Sequence, residues 1–270
     1  GTMMKVSTQR MFTAIALFAA ITTPAWAGIT ASEVVYSDVT FGHSSYTNLN
    51  TVLGEIARDT GGTYVVTPWN CPWTPSQITI IASGTLTVKL SDYAYVTEGV
   101  TELGIYTAQM MNLSNGAYIN GNMGASIYVS DNGEDWVALN NGEAVSLNTP
   151  SLGYQFPNNI LPSSSRYTAG PLSDLDPTDQ FKPFDASGIA SWTDTSAVLA
   201  AYGDSAGGNW FDLSGTGLDR VLYVKLTDIY GTGGGYTNGL RIDGFAAVPE
   251  PATMLLLSLG MLGVLRRRGR

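Results

Sequence analysis

The chain of 270 residues contains one cysteine, Cys71, and one histidine, His43. A lone cysteine allows no intramolecular disulfide, so stability must come from a packed core, from bound ions, or from both. Nothing local pairs Cys71 with His43, and the Pro-rich setting Pro68-Trp69-Asn70-Cys71-Pro72-Trp73 reads as a loop whose aromatics pack over an edge. With a single histidine the commonest general base is almost missing. No G-x-S-x-G, H-E-x-x-H, P-loop or dinucleotide-binding fingerprint occurs. Gly231-Thr232-Gly233-Gly234-Gly235 joins two strand-like segments and has no helix after it to make a phosphate site. The 22 acidic residues can always supply a carboxylate pair for glycoside hydrolysis, so their number does not discriminate. The residues favour a binding or structural module over an enzyme.

Positive charge is scarce in the body of the chain. Between residues 28 and 250 there are seven basic residues (Arg58, Lys89, Arg166, Lys182, Arg220, Lys225, Arg241) and all 22 acidic ones, a balance of 7 − 22 = −15. Such a field repels phosphate backbones and anionic headgroups, which excludes nucleic acid as a partner. Neutral sugars and divalent cations stay compatible with it, and so does acidity that only keeps the protein soluble.

The chain also lacks an apolar run long enough for a comfortable membrane span. The longest, Ala252 to Leu265, covers about 21 Å as a helix against about 30 Å of bilayer hydrocarbon. It follows Pro249-Glu250-Pro251 and stops at Arg266-Arg267-Arg268, with Arg270 behind, a membrane-stop pattern of positive-inside polarity. These three parts in order resemble the PEP-CTERM sorting signal of Gram-negative bacteria. The resemblance implies processing by a dedicated membrane protease, transient insertion through the apolar helix, and delivery to the cell envelope, the cell surface or an exopolysaccharide matrix.

At the other end, Gly1-Thr2 reads as a cloning remnant. Lys5 and Arg10, the apolar stretch Met11 to Ile21 and Ala25-Trp26-Ala27 have the three parts of a secretory signal peptide cut before Gly28. The expected organisation is therefore a leader over 1–27, one domain over 28–248 and a sorting tail over 249–270.

Helical periodicity is rare between the two ends. Runs of Thr, Val, Ile and Tyr alternate with polar residues between Gly and Asn turns. They predict strands at Glu33–Phe41, Gln77–Ala82, Thr85–Leu90, Glu102–Thr107, Ala125–Ser130, Trp136–Leu139, Ala144–Leu147, Arg220–Thr227 and Gly239–Val248. Leu49–Arg58 and Thr195–Tyr202 carry short helical spacing. The pattern predicts an all-β, antiparallel β-sandwich. The stretch 149–208, punctuated by six prolines, reads as a long irregular insertion covering one face or one end. Ser130-Asp131-Asn132-Gly133 is turn chemistry, and alternation from it predicts Ile127, Val129, Trp136 and Ala138 pointing inward.

Three segments in order, Gly84 to Leu90, Ala125 to Trp136, and Asn209 to Phe245, resemble bacterial surface proteins of the discoidin or galactose-binding-like kind. Asn132 stands where that turn pattern carries Asp, and the last strand reads L-R-I-D-G-F without the pattern's second acid. The resemblance implies a jelly-roll sandwich in which a structural calcium ion links the first strand to the last. Asp243, Asp228, Asp38 and Glu33 are the acids placed to hold it, against a plain reading as solvent-facing residues. Asp174, Asp176 and Asp179 lack the Gly and the closing Glu of an EF-hand loop. For sugar stacking, the aromatics of the loops are the candidates, above all Trp69, Trp73, Trp192 and Trp210, with Tyr46, Tyr154 and Tyr167 beside them; core filling is their bland alternative. The sequence thus points to an exported, non-catalytic protein binding a polysaccharide or surface glycan. A structural matrix protein without a ligand is the alternative, and a glycan hydrolase a distant third.

Overall fold

The computed structural model describes residues 28–161, 175–232 and 238–249. The leader and nearly all of the sorting tail lie outside the described residues, as do Tyr167 and Asp174. Among the described residues nine strands form: β1 (Ile29–Phe41), β2 (Thr79–Tyr95), β3 (Leu103–Thr107), β4 (Met123–Ser130), β5 (Val137–Ala138), β6 (Val145–Ser146), β7 (Asn209–Phe211), β8 (Arg220–Gly231) and β9 (Leu240–Ala247). Every pairing between them is antiparallel, in the order β5-β4-β8-β2-β1-β9-β3-β7, with β6 also on β4. Among the described residues no helix is long and apolar enough to cross a membrane.

The sheet turns over on itself at its two long strands. β2 pairs with β9 through Thr79–Ile81 and with β8 from Leu86 onward, while β1 pairs with β9 only at Ile29 and Thr30 and otherwise with β2. Gly84 sits at the bend of β2 with φ +109°, where a Cβ would stand 2.0 Å from the Asp38 carbonyl oxygen. No other residue fits that approach. The sequence predicts two strands here, and the structure joins them into one that serves both layers.

Period-2 alternation then builds a sandwich-like core. Leu86, Val88 and Leu90 of β2, Ile127 and Val129 of β4, and Val224 and Leu226 of β8 face Leu103, Ile105, Ile242 and Phe245 of β3 and β9 in one buried cluster. At roughly 1.5–3 kcal/mol for each fully buried side chain, this cluster is the main source of stability.

The far face of β9 and β3 is covered as well, which is why all of β9 is buried. Residues from 56 to 71, around 110, from 150 to 161 and from 175 to 210 pack there around Val65, Trp69, Leu152, Phe184, Val198, Leu199 and Tyr202. The helix α1 (Thr195–Tyr202) belongs to this layer. Asp194 caps it by accepting from the Ala197 amide at 3.0 Å, and Gly203 at φ +55° ends it. The helical spacing of Leu49–Arg58 yields only one 3-10 turn, Leu49–Val52, because Gly54 follows at φ +81°. The covering layer leaves the outer face of the other sheet (β1, β2, β8, β4) open to solvent.

Candidate functional site

That open face carries a groove of about 730 Å³. Its floor follows from strand register. Tyr36 of β1 stands opposite Thr87 of β2, Thr87 opposite Lys225 of β8, and Lys225 opposite Tyr128 of β4. In the next row Lys89 faces Tyr223, and Tyr223 faces Ser130. A register shift between Val34 and Tyr36 turns both Val35 and Tyr36 outward, 41% and 54% exposed. Thr85, Thr87 and Thr227 also line the groove.

The wall is the turn after β4, and its residues lock it. The Ser130 hydroxyl accepts from the Gly133 amide at 2.9 Å. Asn132 Oδ1 accepts from the Glu134 and Asp135 amides, each at 2.9 Å, and Asn132 Nδ2 donates to Asp135 Oδ2 at 3.0 Å. Gly133, at φ +81°, lies against the Tyr223 ring. This turn fixes Trp136 over Lys225, whose Nζ is 4.0 Å from the Trp136 ring centroid and 5.1 Å from that of Tyr128. Partial burial holds the Lys225 ammonium below its usual pKa.

The inward orientation predicted for Trp136 and Ala138 is corrected. Val137 pairs with the inward Val129 and Ala138 with the outward Tyr128, so Trp136 shares the outer face. A one-residue change in register swaps faces.

Cations gather on this face. Lys89 lies 6.0 Å from the Tyr223 centroid and Arg220 lies 4.0 Å from that of Tyr93. With Lys225, three of the seven basic residues between 28 and 250 thus sit over aromatic rings on one sheet. Among the described residues none of the three has a carboxylate within ion-pairing distance, whereas Lys182 pairs with Asp204.

The aromatics singled out in the sequence go elsewhere. Trp69 is buried and donates its indole N–H to the Trp192 carbonyl at 2.8 Å. It is a packing residue of the covering layer and offers no face to a sugar. Trp192 is half-buried against the same cluster. Trp210 donates to the Gly207 carbonyl at 2.7 Å and lies flat over Gly104, whose absent side chain leaves it room. Trp73 is the exception. It remains exposed at the mouth of a second pocket of about 440 Å³, which His43, Tyr46, Cys71, Ile80, Asn120 and Arg241 also line. Burial pushes the Cys71 thiol up to about 11.

The four acids proposed for calcium are dispersed. Glu33 and Asp38 are exposed on β1, and Asp228, at φ +47°, is exposed and accepts from the Thr227 hydroxyl at 3.0 Å. Asp243 is buried beneath the covering layer, accepting from the Ala57 amide at 3.0 Å; its pKa is raised to about 7 by burial, against the opposing effects of that amide and of Arg58. Among the described residues no three His, Cys, Asp or Glu side chains gather as a metal site. The arrangement does not fit a shared ion between the first and last strands. Asp179 caps a local turn by accepting from the Phe181 amide at 2.8 Å.

Comparison with known proteins identifies the tail. Residues 247–269 match the PEP-CTERM protein-sorting motif, which includes Pro249, Glu250, Pro251, Arg266, Arg267 and Arg268. The motif marks an exported protein that a membrane sorting system recognises and sends through the cell envelope to the surface, as is typical of Gram-negative bacteria. No curated protein matches the chain.

Proposed function

We propose that this exported protein is a non-catalytic, carbohydrate-binding component of the cell surface or of an exopolysaccharide matrix, and that it holds its ligand on the open face of the outer sheet. One observation carries the reading: Trp136, Tyr223 and Tyr36 line one groove together with three threonines and the Asn132 turn. Flat rings beside hydroxyl and amide groups match the apolar faces and equatorial hydroxyls of a sugar ring. The jelly-roll, galactose-binding-like kinship read in the three sequence segments agrees with an antiparallel sandwich-like fold and belongs to the same proposal.

The test is native electrophoresis of the described domain through gels cast with soluble polysaccharides. Retardation that disappears in Trp136→Ala, with an unchanged melting temperature, is the expected result. Mobility independent of every polysaccharide would leave a structural surface protein without a glycan ligand.

A further inference from the structure

We infer that the glycan held in this groove is an acidic one, a polysaccharide whose sugars carry carboxylates read by Lys225, with Lys89 one row beyond the groove's lining. The inference rests on the carbohydrate reading of the same face and adds the ligand's charge.

The argument starts from rarity. A chain with 22 acids and seven bases between residues 28 and 250 has many carboxylates available, yet Lys225 and Lys89 meet none within ion-pairing distance among the described residues. Both ammonium groups are instead held over aromatic rings, at 4.0 Å for Trp136 and 6.0 Å for Tyr223. A ring face supports a cation without neutralising it. The Lys225 charge therefore remains available to an anion that approaches along the groove, whereas Lys89 stands opposite Glu33 of β1.

Strand register supplies the spacing. Lys89 and Thr87 are alternate residues of β2, and Tyr223 and Lys225 are alternate residues of β8, so each row of the face offers a cation beside a hydroxyl or a ring. A row-to-row step along a strand is about 6.6–6.8 Å. Lys89 and Lys225 stand on adjacent strands in successive rows, so a ligand that reaches both is longer than a single small anion. Glu134 lines the rim and opposes such a ligand, which makes it a useful control.

The experiment is isothermal titration of the described domain with polygalacturonate oligomers and, separately, with dextran oligomers of similar length at low salt. Polygalacturonate is expected to bind at least tenfold more tightly than dextran, with an affinity that falls as salt rises. Lys225→Met, which keeps an apolar stem over Trp136, should erase the preference, and Lys225→Arg should keep it. Glu134→Gln should tighten the acidic oligomer only. Equal affinity for the two glycans, or a preference unaffected by Lys225→Met, overturns the acidic inference and leaves the groove as a neutral sugar site. Binding that survives Trp136→Ala overturns the groove as the site, and no binding of either glycan overturns the carbohydrate reading itself.

Discussion

Ile29 and Ala247 are cross-strand partners. The first described strand and the strand that leads into the sorting motif thus lie side by side, with the start of β1 and the end of β9 at one end of the domain. Ala247 is buried, and one residue later the Val248 amide still donates to the Glu102 carbonyl at 2.9 Å. The Pro249-Glu250-Pro251 segment therefore begins directly against a packed sheet.

This closeness predicts a handicap for tail processing. A protease needs several residues of extended chain in its cleft, and β9 is held on both sides by β1, β2 and β3. Inserting a six-residue Gly-Ser linker after Val248 is expected to accelerate release of the domain from membranes in a pulse-chase measurement. Identical release kinetics would mean that cleavage precedes docking of β9.

Glu102 secures the same end. Although buried, it accepts from the Thr97 amide at 2.6 Å through one oxygen and from the Leu213 amide at 3.0 Å through the other. Glu102→Gln turns one acceptor into a donor facing a donor. A loss of about 1–3 kcal/mol is expected from urea denaturation, the usual cost of a buried polar group left without a partner. A loss below about 0.5 kcal/mol would show that water reaches this clamp.

Asp243 makes stability depend on pH. The folded carboxyl releases its proton at about 7 because it is buried, whereas an unfolded aspartate does so near 3.8. Between those values the unfolded chain ionises first. The stability from this group is therefore fully present below about pH 4, is lost as pH rises toward 7, and is constant above it. Asp243→Asn mimics the protonated form and keeps the acceptor for the Ala57 amide. It should remove this slope and stabilise the protein at pH 8, by at most about 4 kcal/mol at 1.36 kcal/mol per pKa unit. Parallel pH profiles of the variant and the parent protein would refute this assignment.

Cys71 gives a simpler check. Only 6% of its surface is exposed, and its thiol is pushed up to about 11, so almost no thiolate exists at pH 8. Reaction with an aromatic disulfide reagent should be slow in the native protein and fast in urea. Rapid native labelling would show that the pocket beside Trp73 opens to the thiol.

The alternating strands were readable because their pattern is local. β1, β3, β4, β8 and β9 follow runs of Val, Ile, Leu and Tyr whose inward members form the core, and α1 is marked by Asp194 and Gly203. The side taken by Trp136 was not readable, since it depends on how many residues the turn after Ser130 consumes before pairing resumes. The groove was hidden for a related reason. Tyr36, Thr87, Trp136, Tyr223 and Lys225 come from separate parts of the chain and meet only through register. Trp69, Trp192 and Trp210 stood out as loop aromatics, but composition does not reveal that these loops build a hydrophobic cluster of their own.

Asn132 holds the turn after β4 with both ends of its side chain. Its side-chain oxygen accepts from two amides, while its nitrogen donates to Asp135 Oδ2 at 3.0 Å. Asn132→Asp keeps the acceptor but replaces the donor with a second carboxylate about 3 Å from the first. Like charges at that distance repel, although exposure to solvent limits the cost to about 1 kcal/mol. The larger effect is expected on the groove, because the turn sets the position of Trp136 over Lys225. The melting temperature should fall by a few degrees, Trp136 fluorescence should shift toward that of solvated indole, and polysaccharide retardation should weaken. Asn132→Ala, which adds no charge but loses the amide contacts, should weaken retardation as well. If both variants retain full retardation, the turn does not position the binding wall, and the groove must be organised by the strands alone.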